Sequence, residues 1–179
     1  KALGYPPEPT LFSKADLPIA FGIMVVMALL NLAKDHRRGL TAVFAVMMSG
    51  MLLMGGATVL MDLEVINGLW WMILVGFGAY LAYVPFGAVL FERIMASTKA
   101  AGTAVFAIYL SDAIGYTGSV GMQLYKDLGQ SELDYYQFLR LFTYGMAVLG
   151  TVLFARSGVY FLRIAKDASL ALEGMQEAA

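Results

Sequence analysis

The sequence predicts an all-α, polytopic transmembrane helix bundle of five spans, and three observations carry that prediction. Hydrophobic residues make up 60% of the 179 positions and charged residues 14%, whereas an ordinary soluble domain is about 25% charged. The charges are bunched, leaving apolar runs at 17–33, 39–61, 65–91, 100–125 and 141–155; a spanning helix needs about 20 such residues. Transmembrane strands would instead alternate polar and apolar residues over about 10 positions, and no such alternation occurs.

Residues 1–14 contain Pro6, Pro7 and Pro9 without apolar periodicity, so they are expected to form an extended extracellular linker. Residues 15–164 are the five-helix bundle. The first span holds one polar amide, Asn31, near its end. The second offers only Thr41, Ser49 and Thr58 and reads, with the fifth, as a lipid-facing or scaffold helix. The third opens on Trp70 and Trp71 and carries Tyr80 and Tyr83. Pro85 and Gly87 follow, which loosen backbone hydrogen bonding and allow a kink. The fourth holds Asp112, the only formally charged residue between 100 and 124. The fifth contains Thr143, Tyr144 and Thr151 and extends to 162 if Arg156 snorkels. Residues 165–179 mix Lys166, Asp167, Glu173 and Glu177 with Leu170, Leu172 and Met175, as a cytoplasmic helical or frayed tail would.

Orientation follows from Lys and Arg. Lys34, Arg37 and Arg38 follow the first span, Arg93 and Lys99 the third, and Arg163 and Lys166 the fifth. These ends are expected in the cytoplasm. Asp62, Glu64, Asp127, Glu132 and Asp134 lie at the other end with few basic residues, which places the amino terminus outside and the carboxy terminus inside. Trp70, Trp71, Tyr135 and Tyr136 would then form an outer aromatic belt. The chain starts at Lys1 with no secretory leader and reads as a piece of a longer protein.

Composition also excludes chemistries. Without Cys there is no disulfide or thiolate site, and the single His36 sits beside Arg37 and Arg38. No catalytic triad, metal set or cofactor box is expected, nor is enzyme activity. No basic stripe interleaved with aromatic residues points to nucleic acid.

A carboxylate at mid-span costs roughly 2.5–3.5 kcal/mol on insertion scales, so Asp112 needs a partner, water or a task. On a helix Tyr109 at i−3 and Tyr116 at i+4 share its face, and Ser119 continues the stripe. Counting from span centres puts Tyr80 at the depth of Asp112, with Tyr83 one turn on. Four hydroxyls around one carboxylate can bind a small polar solute. Because desolvation disfavours the charged form of any buried carboxyl, such a site is also open to proton coupling. The plainer alternative is a neutral, hydrogen-bonded structural acid. Gly76, Gly78, Gly115, Gly118 and Gly121 supply small surfaces for close helix packing.

The turn Lys34-Asp35-His36-Arg37-Arg38-Gly39 resembles the Asp/Arg/Gly loop between helices of major facilitator superfamily transporters, without that motif's leading Gly or its spacing. A closer resemblance runs from Gly76 to Gly129 through Tyr83-Val84-Pro85-Phe86-Gly87, Leu90-Phe91-Glu92-Arg93-Ile94 and residues 111–121. It is similar to an uncharacterised bacterial family of major facilitator type, described only as a domain of unknown function. The resemblance implies that the five spans are helices eight to twelve of twelve, with Tyr80 and Tyr83 on a cavity-lining helix and Asp112 on the next.

The expected function is therefore the carboxy-terminal part of a secondary transporter in a bacterial inner membrane. Its expected partners are the lipid bilayer, the amino-terminal half of the same protein, a small solute and, if coupled, protons. The alternative is a non-transporting membrane scaffold or sensor that retains the fold.

Overall fold

A computed structural model describes residues 9–98, 103–128 and 135–177, and every regular element among them is helical. The elements are α1 (Pro9–Asn31), α2 (His36–Asp62), α3 (Gly68–Pro85), α4 (Phe91–Thr98), α5 (Ala104–Leu128) and α6 (Tyr135–Glu177). A π-helical segment, Phe86–Leu90, joins α3 to α4 without a break. The loosening expected at Pro85 and Gly87 thus takes the form of a π turn, in which hydrogen bonds reach one residue further than in an α-helix.

Four of the resulting five rods are long and apolar enough to cross a membrane, over Lys14–Asn31, His36–Asp62, Gly68–Thr98 and Tyr136–Ala171. The fifth, α5, is not among them. At 25 residues it is about 37 Å long, more than a hydrocarbon core of about 30 Å, so length is not the shortfall. Ser111, Asp112, Thr117, Ser119 and three glycines dilute its apolar character.

One boundary differs from expectation, and at the other end the helical of the two readings of the tail is realised. α1 already begins at Pro9, inside the stretch read as extended, because proline at the first helical position gives up an N–H that has no helical partner anyway. Residues 1–8 lie outside the described part. At the other end α6 runs unbroken to Glu177, so residues 165–177 prolong the last helix.

The turns are closed by specific caps. Asp35 precedes α2 with extended backbone, and its carboxylate accepts from the N–H groups of Arg37 at 3.4 Å and Arg38 at 3.2 Å. Asn67 does the same for α3, accepting from the Trp70 N–H at 3.0 Å. α2 ends in a Schellman arrangement: the Val65 N–H donates to the Leu60 carbonyl at 2.9 Å and the Glu64 N–H to that of Met61 at 3.1 Å. Glu64 occupies the left-handed position with φ 57°, where glycine is usual.

α2 is the hub. It packs extensively against both α3 and α6 and also meets α1, the π segment and α4. Its buried side includes Leu40, Val43, Phe44, Met47, Met51, Met54 and Thr58. Of the two roles expected for the second span, the scaffold is the one realised. At the centre α2 and α3 touch backbone to backbone: a methyl on Gly50 would lie 2.5 Å from the Gly78 carbonyl oxygen, and one on Gly78 2.6 Å from that of Gly50. One core cluster joins Leu30, Phe44, Met47, Leu90, Ile94 and Ala165 near the Asp35 turn. A second joins Ile19 and Ile23 of α1 to Leu81 of α3. Large apolar side chains including Phe21, Phe106, Ile114 and Val148 remain outside these clusters and exposed, an arrangement suited to lipid or further protein rather than water.

Candidate functional site

The helical period sets Tyr109, Asp112 and Tyr116 on one side of α5, as the sequence spacing requires. The two tyrosines are each 70% exposed and Asp112 is half-buried between them. Among the described residues Asp112 makes no hydrogen bond or ion pair. The neighbouring hydroxyls are satisfied within the helix: Ser111 donates to the Ala107 carbonyl at 2.8 Å, Thr117 to Ala113 at 2.7 Å and Ser119 to Gly115 at 3.0 Å. This internal bonding is how Ser and Thr are accommodated in apolar helices, and among the described residues it leaves the Asp112 carboxyl free, together with the Tyr109 and Tyr116 hydroxyls on either side.

Among the described residues α5 packs lightly, chiefly against α4, and a methyl on Gly115, Gly118 or Gly121 would meet nothing within 4 Å. The small-residue face is therefore open among the described residues. Tyr80 and Tyr83 stand exposed on α3, whose buried side is formed by Trp71, Gly78, Leu81, Ala82 and Pro85. Neither tyrosine hydroxyl bonds Asp112. The structure thus groups the three α5 residues, and leaves the two α3 residues on the outward side of their own helix.

A polar cluster that the sequence reading did not assemble lies where α2 ends. Asp62 accepts from Arg140 Nη1 at 3.1 Å through one carboxylate oxygen and from the Tyr144 hydroxyl at 2.8 Å through the other. Arg140 also lies over the Tyr136 ring, 6.0 Å from its centroid. Tyr136 meets Trp71 edge-on at 5.8 Å, and the Trp71 indole N–H donates to the Thr58 hydroxyl at 3.2 Å, which itself donates to the Met54 carbonyl. Trp71 is 2% exposed against 55% for Trp70. Of the four residues expected in the aromatic belt, Trp71 belongs to the core instead, because Thr58 satisfies its one polar atom. The available signal was Arg140, one of few cations at a mostly acidic end of the bundle and one turn before Tyr144.

At the opposite end of α2, Arg93 of α4 donates through Nη1 to the Ala33 carbonyl at 2.8 Å, closing the turn between α1 and α2. Asp35 in that turn is occupied as a helix cap. No group of three or more His, Asp or Glu among the described residues is placed to hold a metal ion.

The chain belongs to the family of unknown function DUF5690, whose model matches residues 1–164. Neither the curated proteins nor the solved structures include a match to it. The family carries no assigned activity.

Proposed function

We propose that this DUF5690 chain is the carboxy-terminal part of a secondary transporter of major facilitator type, which moves a small solute across a bacterial inner membrane by alternating access. The observation that supports this most is the setting of Asp112. It is half-buried and unpaired, sits between two exposed tyrosines, and lies on the one long helix that falls short of the apolarity of the other four rods. A helix lining a water-filled cavity can carry such polarity, whereas one surrounded by lipid pays for it.

In this reading α5 is the fourth of five spans, with the amino terminus outside. Asp112 is the solute-contacting or proton-coupling acid, and Tyr109 and Tyr116 flank it with hydroxyls. Tyr80 and Tyr83 contribute from α3 when the rest of the protein is in place. The open glycine face of α5 is where that remaining part packs.

The 179 residues contain no Cys, so single cysteines introduced here report water access once any Cys elsewhere in the full-length protein is replaced. In membranes of cells making the full-length protein, Tyr109→Cys and Tyr116→Cys should react with a membrane-impermeant thiol reagent, and Ile114→Cys, on the opposite side of α5, should not. Equal protection of all three would rule out the cavity. Asp112→Asn should abolish uptake or flatten its pH dependence at normal expression; unchanged uptake would remove Asp112 from the mechanism.

A further inference from the structure

At the end of α2 far from Asp62, a groove of about 560 Å3 opens between the turn that links α1 to α2 and the π segment with α4. Its polar lining is Asn31, Lys34, His36, Glu92 and Arg93, and Met27 and Val89 add apolar wall. The other two principal grooves lie along α6, and the one shared with α2 has only Tyr144 and Thr151 as polar lining.

Arg93 is held in this groove from two sides. Nη1 is tied to the Ala33 carbonyl at 2.8 Å, and the guanidinium lies so close to Gly39 that a methyl there would come within 2.7 Å of Cζ. The bond to Ala33 uses one of five N–H donors and none of the charge. The ion pairs among the described residues are Arg38 with Asp35 and Arg140 with Asp62, so neither Arg93 nor Lys34 is neutralised. One carboxylate, Glu92, faces two cations and an imidazole. The π turn, a device often found at functional sites, sits directly before the residues that carry this charge.

We infer that the groove binds a phosphate-bearing anion, with Arg93 as the fixed fork, Lys34 as the mobile second charge and His36 as a further donor. A planar guanidinium suits two phosphate oxygens at once. The group can belong to an anionic lipid headgroup, whose first methylenes would lie on Met27 and Val89, or to a soluble phosphate. The inference stands independently of the transport reading.

The test uses delipidated full-length protein. One arm offers phosphatidylcholine nanodiscs with and without phosphatidylglycerol, counting retained lipids by native mass spectrometry. The other arm offers inorganic phosphate, followed by thermal shift. Binding in the lipid arm alone identifies a headgroup site, and binding in the phosphate arm a soluble-anion site. In either case Arg93→Gln should weaken binding about tenfold or more, and Arg93→Lys, which keeps the charge and the fold but loses the fork, should weaken it severalfold. Gly39→Ala changes no charge but displaces the guanidinium, and should weaken binding as well, while Arg156→Gln on α6 should not. Binding in neither arm overturns the inference. So does Gly39→Ala binding like wild type while Arg156→Gln loses as much as Arg93→Gln, since this describes a diffuse basic surface.

Discussion

Arg140 Nη1 lies 3.1 Å from Asp62 Oδ1, while the Tyr144 hydroxyl, one helical turn on, donates to Oδ2 at 2.8 Å. One carboxylate at the end of α2 is thereby gripped by two groups of α6. The Arg140 and Asp62 side chains are 43% and 31% exposed, so the ion pair alone should contribute no more than about 1 kcal/mol. The hydroxyl bond to a charged acceptor adds about 1–2 kcal/mol. Asp62→Ala should therefore lower stability by about 1–3 kcal/mol, read from thermal unfolding in detergent. Added salt should erode the part removed by Arg140→Ala and spare that removed by Tyr144→Phe. Strict additivity of Asp62→Ala and Arg140→Ala would show that the contact contributes nothing.

Trp70 and Trp71 are adjacent in sequence and opposite in environment, and fluorescence can separate them. Trp71 is enclosed, with Thr58 bonded to its indole nitrogen and Tyr136 against its edge. The variant Trp70→Phe leaves Trp71 as the only indole of these 179 residues, and with any Trp elsewhere in the protein replaced its emission should be nearly insensitive to iodide. Trp71→Phe should leave an emitter that iodide quenches readily in detergent. Similar quenching of the two variants would place Trp71 at the surface. Trp71→Ala should cost about 3–5 kcal/mol, as large core truncations do.

Helix existence was legible because run length and hydropathy decide it, and the shared side of Tyr109, Asp112 and Tyr116 was legible because the 3.6-residue period decides that. Neighbour choice was not. α2 is as apolar as a lipid-facing helix, and in a bilayer Leu40 or Met47 gains little by leaving lipid for protein, so composition could not mark it as the hub. Depth was a weak guide for the same reason: counting from span centres puts Tyr80 level with Asp112, but depth fixes neither the azimuth of Tyr80 on α3 nor the helix beside α5. Trp71 shows the converse. Its belt position was a matter of average preference, whereas one hydroxyl on Thr58, thirteen residues earlier, was enough to bury it.

Glu64 holds φ 57° at the position after α2 that the Schellman bonds require to be left-handed. A side chain there costs about 1 kcal/mol relative to glycine through contact between its Cβ and the backbone. Glycine also makes the unfolded chain more flexible, which returns part of that amount. Glu64→Gly should therefore stabilise the protein modestly, by up to about 1 kcal/mol, with the bonds from Val65 to Leu60 and Glu64 to Met61 retained. Glu64→Val should destabilise it, because β-branching aggravates the same contact. A loss of stability in Glu64→Gly would mean that the Glu64 side chain contributes something beyond its backbone.

The crossing of α2 and α3 at Gly50 and Gly78 makes the sharpest prediction about packing. A methyl on Gly50 would meet the Gly78 carbonyl at 2.5 Å and Leu81 Cβ at 2.8 Å, both tied to backbone, so no rotamer change relieves it and the helices must separate. Gly150 differs: a methyl there would meet Met51 Sδ, the end of a flexible side chain that can turn away. Helix propensity alone would favour alanine over glycine by about 1 kcal/mol at each position. Gly150→Ala should thus be neutral or slightly stabilising, whereas Gly50→Ala should lose about 1–3 kcal/mol to overpacking despite the same propensity gain. Gly50→Ala and Gly78→Ala together should cost less than their sum, because helices already pushed apart by the first methyl make room for the second. Equal behaviour of Gly50→Ala and Gly150→Ala would overturn the close approach of the two backbones.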